Sequence, residues 1–159
     1  MLGAHLTAAG ERAAALARLT DHWGDPILMR NQAYALADCE IFIAGEFAGL
    51  AAVSCRDAPV AELVAINAFE RGQGIGTALL AAITEHLRGF TILRVATTND
   101  NLTALRFYQR RGFRLCDVRF GAIDVSRRLK PSIPLTGEHD IPIHDEIDLM
   151  LDLAERSAA

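Results

Sequence analysis

Three glycines, Gly72, Gly74 and Gly76, stand close together between two stretches of opposite periodicity. Before them, Val60 to Ala68 is short, apolar and β-branched enough for a strand. After them, Ile75, Leu79, Leu80, Ile83 and Leu87 fall on one face of a helix expected over Gln73 to Leu87. The chain must therefore pass from strand to helix through a tight turn. Backbone N–H groups at a helix start have no acceptor inside the helix, and the helix dipole adds positive charge there. Glycine removes the Cβ atoms that would hold a pyrophosphate away. The loop by itself is either a phosphate site or a plain turn. A dinucleotide fingerprint beginning at Gly72 would need glycine at Thr77, and a P-loop would need Gly-Lys followed by Ser or Thr, which is absent.

The remaining chain reads as further strands and helices. Ala8 to Leu19 is helical, with Thr7 placed to cap it, and Trp23-Gly24-Asp25-Pro26 breaks it. Residues 27–30 suit a short strand. Glu40–Ala44 and Phe47–Ser54, separated by Gly45-Glu46, read as a hairpin. Thr91–Thr97 is a strand, Leu102–Arg111 a helix, and Phe113–Phe120 β-like. Ile123–Leu129 reads as a helical turn inside a proline-rich loop, 121–144. In the last strand, about 146–153, Ile147, Leu149, Leu151 and Leu153 alternate with Asp148, Met150 and Asp152, which predicts a polar outward face. The order predicts an α/β (α+β) fold, one domain over 1–159. Its single mixed, mostly antiparallel sheet would carry helices on both faces.

Composition excludes several classes. A net charge of −4 argues against bulk nucleic-acid binding. No apolar run approaches the roughly 18 residues of a membrane span, and Met1–Thr20 lacks the form of a signal peptide. Cys39, Cys55 and Cys116 are odd in number and widely spaced, which predicts buried thiols in a reducing cytoplasm. His139 and His144 lie among acidic residues, but their spacing matches no metal motif, so no metal is expected.

Arg71-Gly72-Gln73-Gly74-Ile75-Gly76 matches the pattern Arg or Gln, two residues, Gly, one residue, Gly or Ala. Further on, Asn101, Ala104, Tyr108 and Gly112-Phe113 match a second pattern in the same order. Together these resemble the GNAT superfamily of acyl-CoA N-acyltransferases, most closely from about Val60 to Leu115. The resemblance implies a GNAT-like domain with a motif core over about 40–120. It also implies that two strands splay apart and that acetyl-CoA lies between them as acyl donor. On that basis Val64 and Ile66 offer backbone contacts to the pantetheine arm. Arg71, Gly72, Gln73, Gly74, Ile75, Gly76 and Thr77 cradle the pyrophosphate. Asn101 reaches the cofactor, and Asn99 either does the same or ends its strand.

Acyl transfer to an amine needs a neutral amine, an oxyanion donor and a group that protonates the departing thiolate. The resemblance assigns the last role to Tyr108; the alternative is a core tyrosine on an amphipathic helix. Glu62, expected by alternation on one face with Val64 and Ile66, is the base candidate; the alternative is a structural carboxylate paired with an arginine. The family's N-terminal acetylating branch has glutamate where this chain has Ala96. The resemblance therefore implies a small-molecule amine acceptor attacking in a ternary complex. Protein lysine acetylation and an acyl-CoA-binding module without turnover are the alternatives. In this family the 121–144 loop would help form the acceptor pocket, and a free sheet edge near the last strand would permit a homodimer.

Overall fold

A computed structural model describes residues 2–157. The elements follow in the order β1 (Ala4–Leu6), α1 (Ala9–Trp23), β2 (Ile27–Met29), β3 (Gln32–Tyr34), β4 (Glu40–Ala44), β5 (Gly49–Ser54), β6 (Val60–Ala68), α2 (Ile75–His86), β7 (Ile92–Thr98), α3 (Leu102–Gln109), β8 (Arg114–Arg119), α4 (Ala122–Leu129), β9 (Glu146–Asp152) and α5 (Leu153–Ser157). Seven strands form one sheet in the order β1-β4-β5-β6-β7-β9-β8, and β2 and β3 form a separate hairpin. Only the β6–β7 pair is parallel; the other neighbours run antiparallel. The expected mixed sheet is therefore present.

Helices cover both faces, and strand alternation decides which side chain meets which helix. Phe42, Ala44, Ala51, Val53, Ala61 and Leu63 pack with Ile75, Leu79, Leu80 and Ile83 of α2 and Tyr108 of α3. Their neighbours Ile41, Ile43, Leu50 and Ala52 point the other way, onto Ala15 and Leu19 of α1. Both faces of β4 and β5 are buried, so these strands read as near-continuous apolar runs rather than as alternating ones.

Several local expectations are corrected. Thr7 does not cap α1: Ala8 occupies the N-cap position, and its N–H is held by the Glu11 carboxylate at 2.9 Å. The helix runs on to Trp23 and stops at Gly24, whose φ is +78°. The segment after residue 30 turns back as β3 through Arg30 and Asn31, both in the left-handed region. Among the thiols, Cys39 is buried, but Cys116 is exposed because β8 is the outer edge of the sheet. Asp148 and Glu146 of β9 are buried, not solvated. Arginines from β8 and the β2–β3 hairpin cover them.

Candidate active site

β6 and β7 pair only from Val60–Ile92 to Leu63–Val95. Beyond that point each keeps its outer neighbour and loses the other. Residues 65–68 stay on β5, and Ala96, Thr97 and Thr98 stay on β9. The sheet is split there into a cleft with an unpaired strand edge on either side. A bulge marks the same place: Ala52 faces Ala65 and Val53 faces Leu63, so Val64 is the extra residue of β6.

The bulge overturns one expectation. One extra residue reverses the parity of the strand after it. Val64 and Ala65 pack on the α1 side, with Glu62, whereas Ile66 packs on the α2 side. Glu62 and Ile66 therefore do not share a face. Both Val64 and Ile66 nevertheless lie on the part of β6 that β7 has left.

The glycine loop opens directly below this edge. Gly72 and Gly74 have φ of +80° and +73°, and a Cβ at either would meet nothing within 4 Å. They are needed for their backbone conformation and leave open space in front of them. Gly74 is the N-cap of α2, and the first helical N–H bonded to a carbonyl is that of Ala78, at 2.9 Å from Gly74 O. The N–H groups of Ile75, Gly76 and Thr77 thus precede the hydrogen-bonded ladder. Gly76 differs: a Cβ there would lie 2.9 Å from the Phe107 ring, so this glycine lets α3 pack on α2. Arg71 and Gln73 are exposed at the mouth. Arg111, which no sequence pattern singled out, stacks 3.8 Å over Phe107 and donates to Thr77 Oγ1 at 2.5 Å. It adds a cation beside the loop.

Asn101 caps α3 by accepting from Ala104 N–H at 3.0 Å. Asn99 spends its amide on the 121–144 loop and the start of β9. Its Nδ2 donates to Pro142 O, and its Oδ1 accepts from His144 and Asp145 N–H. Of the two readings of Asn99, these bonds match the one in which it ends its strand. Arg127 holds the same loop through Ile133, Pro134 and Ile143 carbonyls. Lys130, the only lysine, ties it to the end of α1 by donating to Trp23 O at 3.0 Å.

Tyr108 is buried, its ring 5.3 Å from Phe107 and 5.2 Å from Phe113. Burial pushes its phenol pKa well above the ordinary value, so it stays protonated through neutral pH. Glu62 is also buried and carries an arginine on each oxygen: Arg30 on Oε1, and Arg94 Nε on Oε2 at 3.1 Å. The network continues through Arg119, which grips Asp148 at 2.6 Å and also bonds Glu146. Arg30 N–H reaches Glu146 at 2.9 Å. Burial pulls the Arg30 guanidinium below its usual pKa, against the pull of Asp148. Burial works the same way on Arg119, but its hydrogen bonds to Asp148 and Glu146 hold its pKa above the usual value.

Of this network, sequence reading found only Glu62. Strand parity could have put Glu146 and Asp148 on one face, but nothing local ties Arg30 to them across the chain. Among the described residues no group of His, Cys, Asp and Glu is arranged to hold a metal. No helix among them is long and apolar enough to cross a membrane.

The comparisons agree with this architecture. The model of the Acetyltransferase (GNAT) family matches residues 8–113. The uncharacterized protein YxbD of Bacillus subtilis (strain 168) is 42% identical over 94 residues, which span 58% of this chain and 59% of YxbD. The uncharacterized protein YdhI of the same strain is 34% identical over 139 residues, 79% of this chain and 82% of YdhI. The crystal structure of a GNAT family acetyltransferase from Elizabethkingia anophelis with acetyl-CoA bound shares the fold. Its TM-score is 0.70 at 22% identity, covering 95% of this chain and 97% of that one.

Proposed function

The chain belongs to the GNAT acetyltransferase family, and from that membership we propose that it moves an acetyl group from acetyl-CoA to a primary amine of a small molecule. The observation that carries this reading is the parting of β6 and β7 after Leu63–Val95, directly above a glycine loop with open space over Gly72 and Gly74. The free edge of β6 at Val64–Ile66 suits a pantetheine arm, which pairs with a strand edge as a peptide would. The N–H groups at the start of α2, with Arg71, Gln73 and Arg111 nearby, suit a pyrophosphate.

Acetyl-CoA supplies an activated acyl thioester. The transfer forms an N–C bond and breaks a C–S bond, and a proton from the amine replaces the acyl group on sulfur. Tyr108 serves this exchange as a hydrogen-bond donor. A free thiol has a pKa of about 8.5, well below that of a buried phenol, so Tyr108 stabilises the departing sulfur without surrendering its own proton. Glu62 has both oxygens on arginines and acts as a positioning residue for Arg94. The acceptor's ammonium form gives one proton to solvent before attack, and the neutral amine that attacks gives up the second proton, which ends on sulfur.

Calorimetric titration with acetyl-CoA, free coenzyme A and NADH tests the donor site. Binding of the first two alone is expected, and no binding of any would overturn the proposal. Tyr108→Phe is expected to lower kcat about 10²-fold, as loss of one preorganised donor does elsewhere. Acetyl-CoA affinity should stay within about twofold, because the loop and strand edge are untouched. Unchanged kcat would remove Tyr108 from the mechanism.

A further inference from the structure

We infer that the amine acceptor carries a carboxylate, recognised by Arg94 with Arg30 behind it; this rests on the acetyltransferase reading above. Glu62 and Arg94 stand opposite one another on β6 and β7, one residue before the strands part. They share the α1-side face with Ala96, Glu146 and Asp148, since Leu93, Val95, Leu149 and Leu151 pack on the other side. This charged face meets the cleft at its apex.

Hydrogen-bond capacity decides the sign of the ligand. Every carboxylate in the cluster already has a guanidinium on it: Glu62 has Arg30 and Arg94, and Glu146 and Asp148 share Arg119. A cationic group arriving here finds no carboxylate without a cation. The guanidiniums, by contrast, have N–H donors to spare. Among the described residues Arg94 makes one side-chain bond, through Nε, and its side chain is 38% exposed. Arg30 is bonded to Glu62 through one nitrogen, and its Nε and Nη1 are buried without a hydrogen-bond partner. Nη1 lies 3.6 Å from Asp148, beyond hydrogen-bond reach. A buried donor without an acceptor is costly, and a carboxylate satisfies a guanidinium in a planar, two-point fashion that an amine cannot. With Glu62 fixing Nε, the outer edge of Arg94 is left to face such a ligand. Ala96, the next residue on this face, contributes no charge of its own.

The test compares matched acceptors: the proteinogenic amino acids, β-alanine and 4-aminobutyrate against the same compounds as carboxamides. Coenzyme A release is followed for the wild type, Arg94→Met and Arg94→Lys, with acetyl-CoA affinity measured separately by calorimetry. The acids are expected to exceed their carboxamides at least tenfold in kcat/KM. Arg94→Met should raise KM for the acids at least tenfold more than it raises KM for the carboxamides. Arg94→Lys should fall between, keeping the charge but losing the fork. As a readout independent of turnover, the Arg94 Nε–H resonance, identified by its loss in Arg94→Met, should shift saturably with the preferred acid and not with its carboxamide. Equal kcat/KM for the two panels overturns the inference. So does a preference that survives Arg94→Met, or turnover of neither panel by protein that binds acetyl-CoA. Failure to bind acetyl-CoA is a separate result, which overturns the acetyltransferase reading itself.

Discussion

Gly74→Val is expected to abolish acetyl-CoA binding, by at least about 100-fold, while the protein remains folded. The two halves of this expectation come from one observation. Gly74 has φ of +73°, yet a Cβ there would touch nothing within 4 Å. Folding therefore meets no clash and loses about 1–2 kcal/mol for holding a branched residue in the left-handed region. In a chain of this size that lowers Tm by about 2–8 °C. Binding fares worse, because the valine side chain fills the open space in front of the N–H groups that begin α2. Gly89, in the turn before β7, is the matched control: its φ is +92° and its surroundings are equally open. Gly89→Val should cost similar stability and leave affinity unchanged. Calorimetry on both variants, with thermal melts alongside, separates backbone strain from site occlusion. Normal acetyl-CoA affinity in Gly74→Val would remove the loop from the donor site.

Glu62→Gln is expected to be the most destabilising single change around the cleft. The carboxylate is buried and anchors Arg30 and Arg94 at once, with Arg30 itself nearly buried. Removing one partner of a buried ion pair leaves a charge without compensation and costs about 3–5 kcal/mol. Glutamine keeps one acceptor oxygen, so the lower end applies, a fall in Tm of about 6–12 °C. The pH–rate profile separates the two roles of Glu62. With the carboxylate as a positioning residue, the acidic limb follows the acceptor amine and keeps its midpoint in Glu62→Gln. If Glu62 were the base, that limb would flatten, whereas the loss of stability is the same in either role because the ion pairs are there in both.

Local patterns were enough for the fold's core. The strand Val60–Ala68, the glycine turn and the apolar stripe of α2 were each legible because periodicity and glycine spacing act over a few residues. At the start of α2 backbone chemistry moved the boundary, because Gly74 takes the N-cap position and delays the helix to Ile75. The hairpin after residue 30 escaped notice because its strands span only Ile27–Met29 and Gln32–Tyr34, too short for a period to show. The polar alternation of β9 was legible, but its meaning was misread. Asp148 is buried because Arg119 and Arg30 lie over it.

The sequence by itself determined that a strand runs through a glycine turn into an amphipathic helix, and that the helix capped by Asn101 and carrying Tyr108 follows in the family's order. Those features depend on neighbours in the chain. Only the tertiary structure decided that β6 bulges at Val64 and parts from β7, because a register shift is a property of two strands and not of one. It alone paired Glu62 with Arg30 and Arg94 from distant segments. A buried charge is settled by whichever partner the fold delivers to it, and no periodicity in the chain records that meeting.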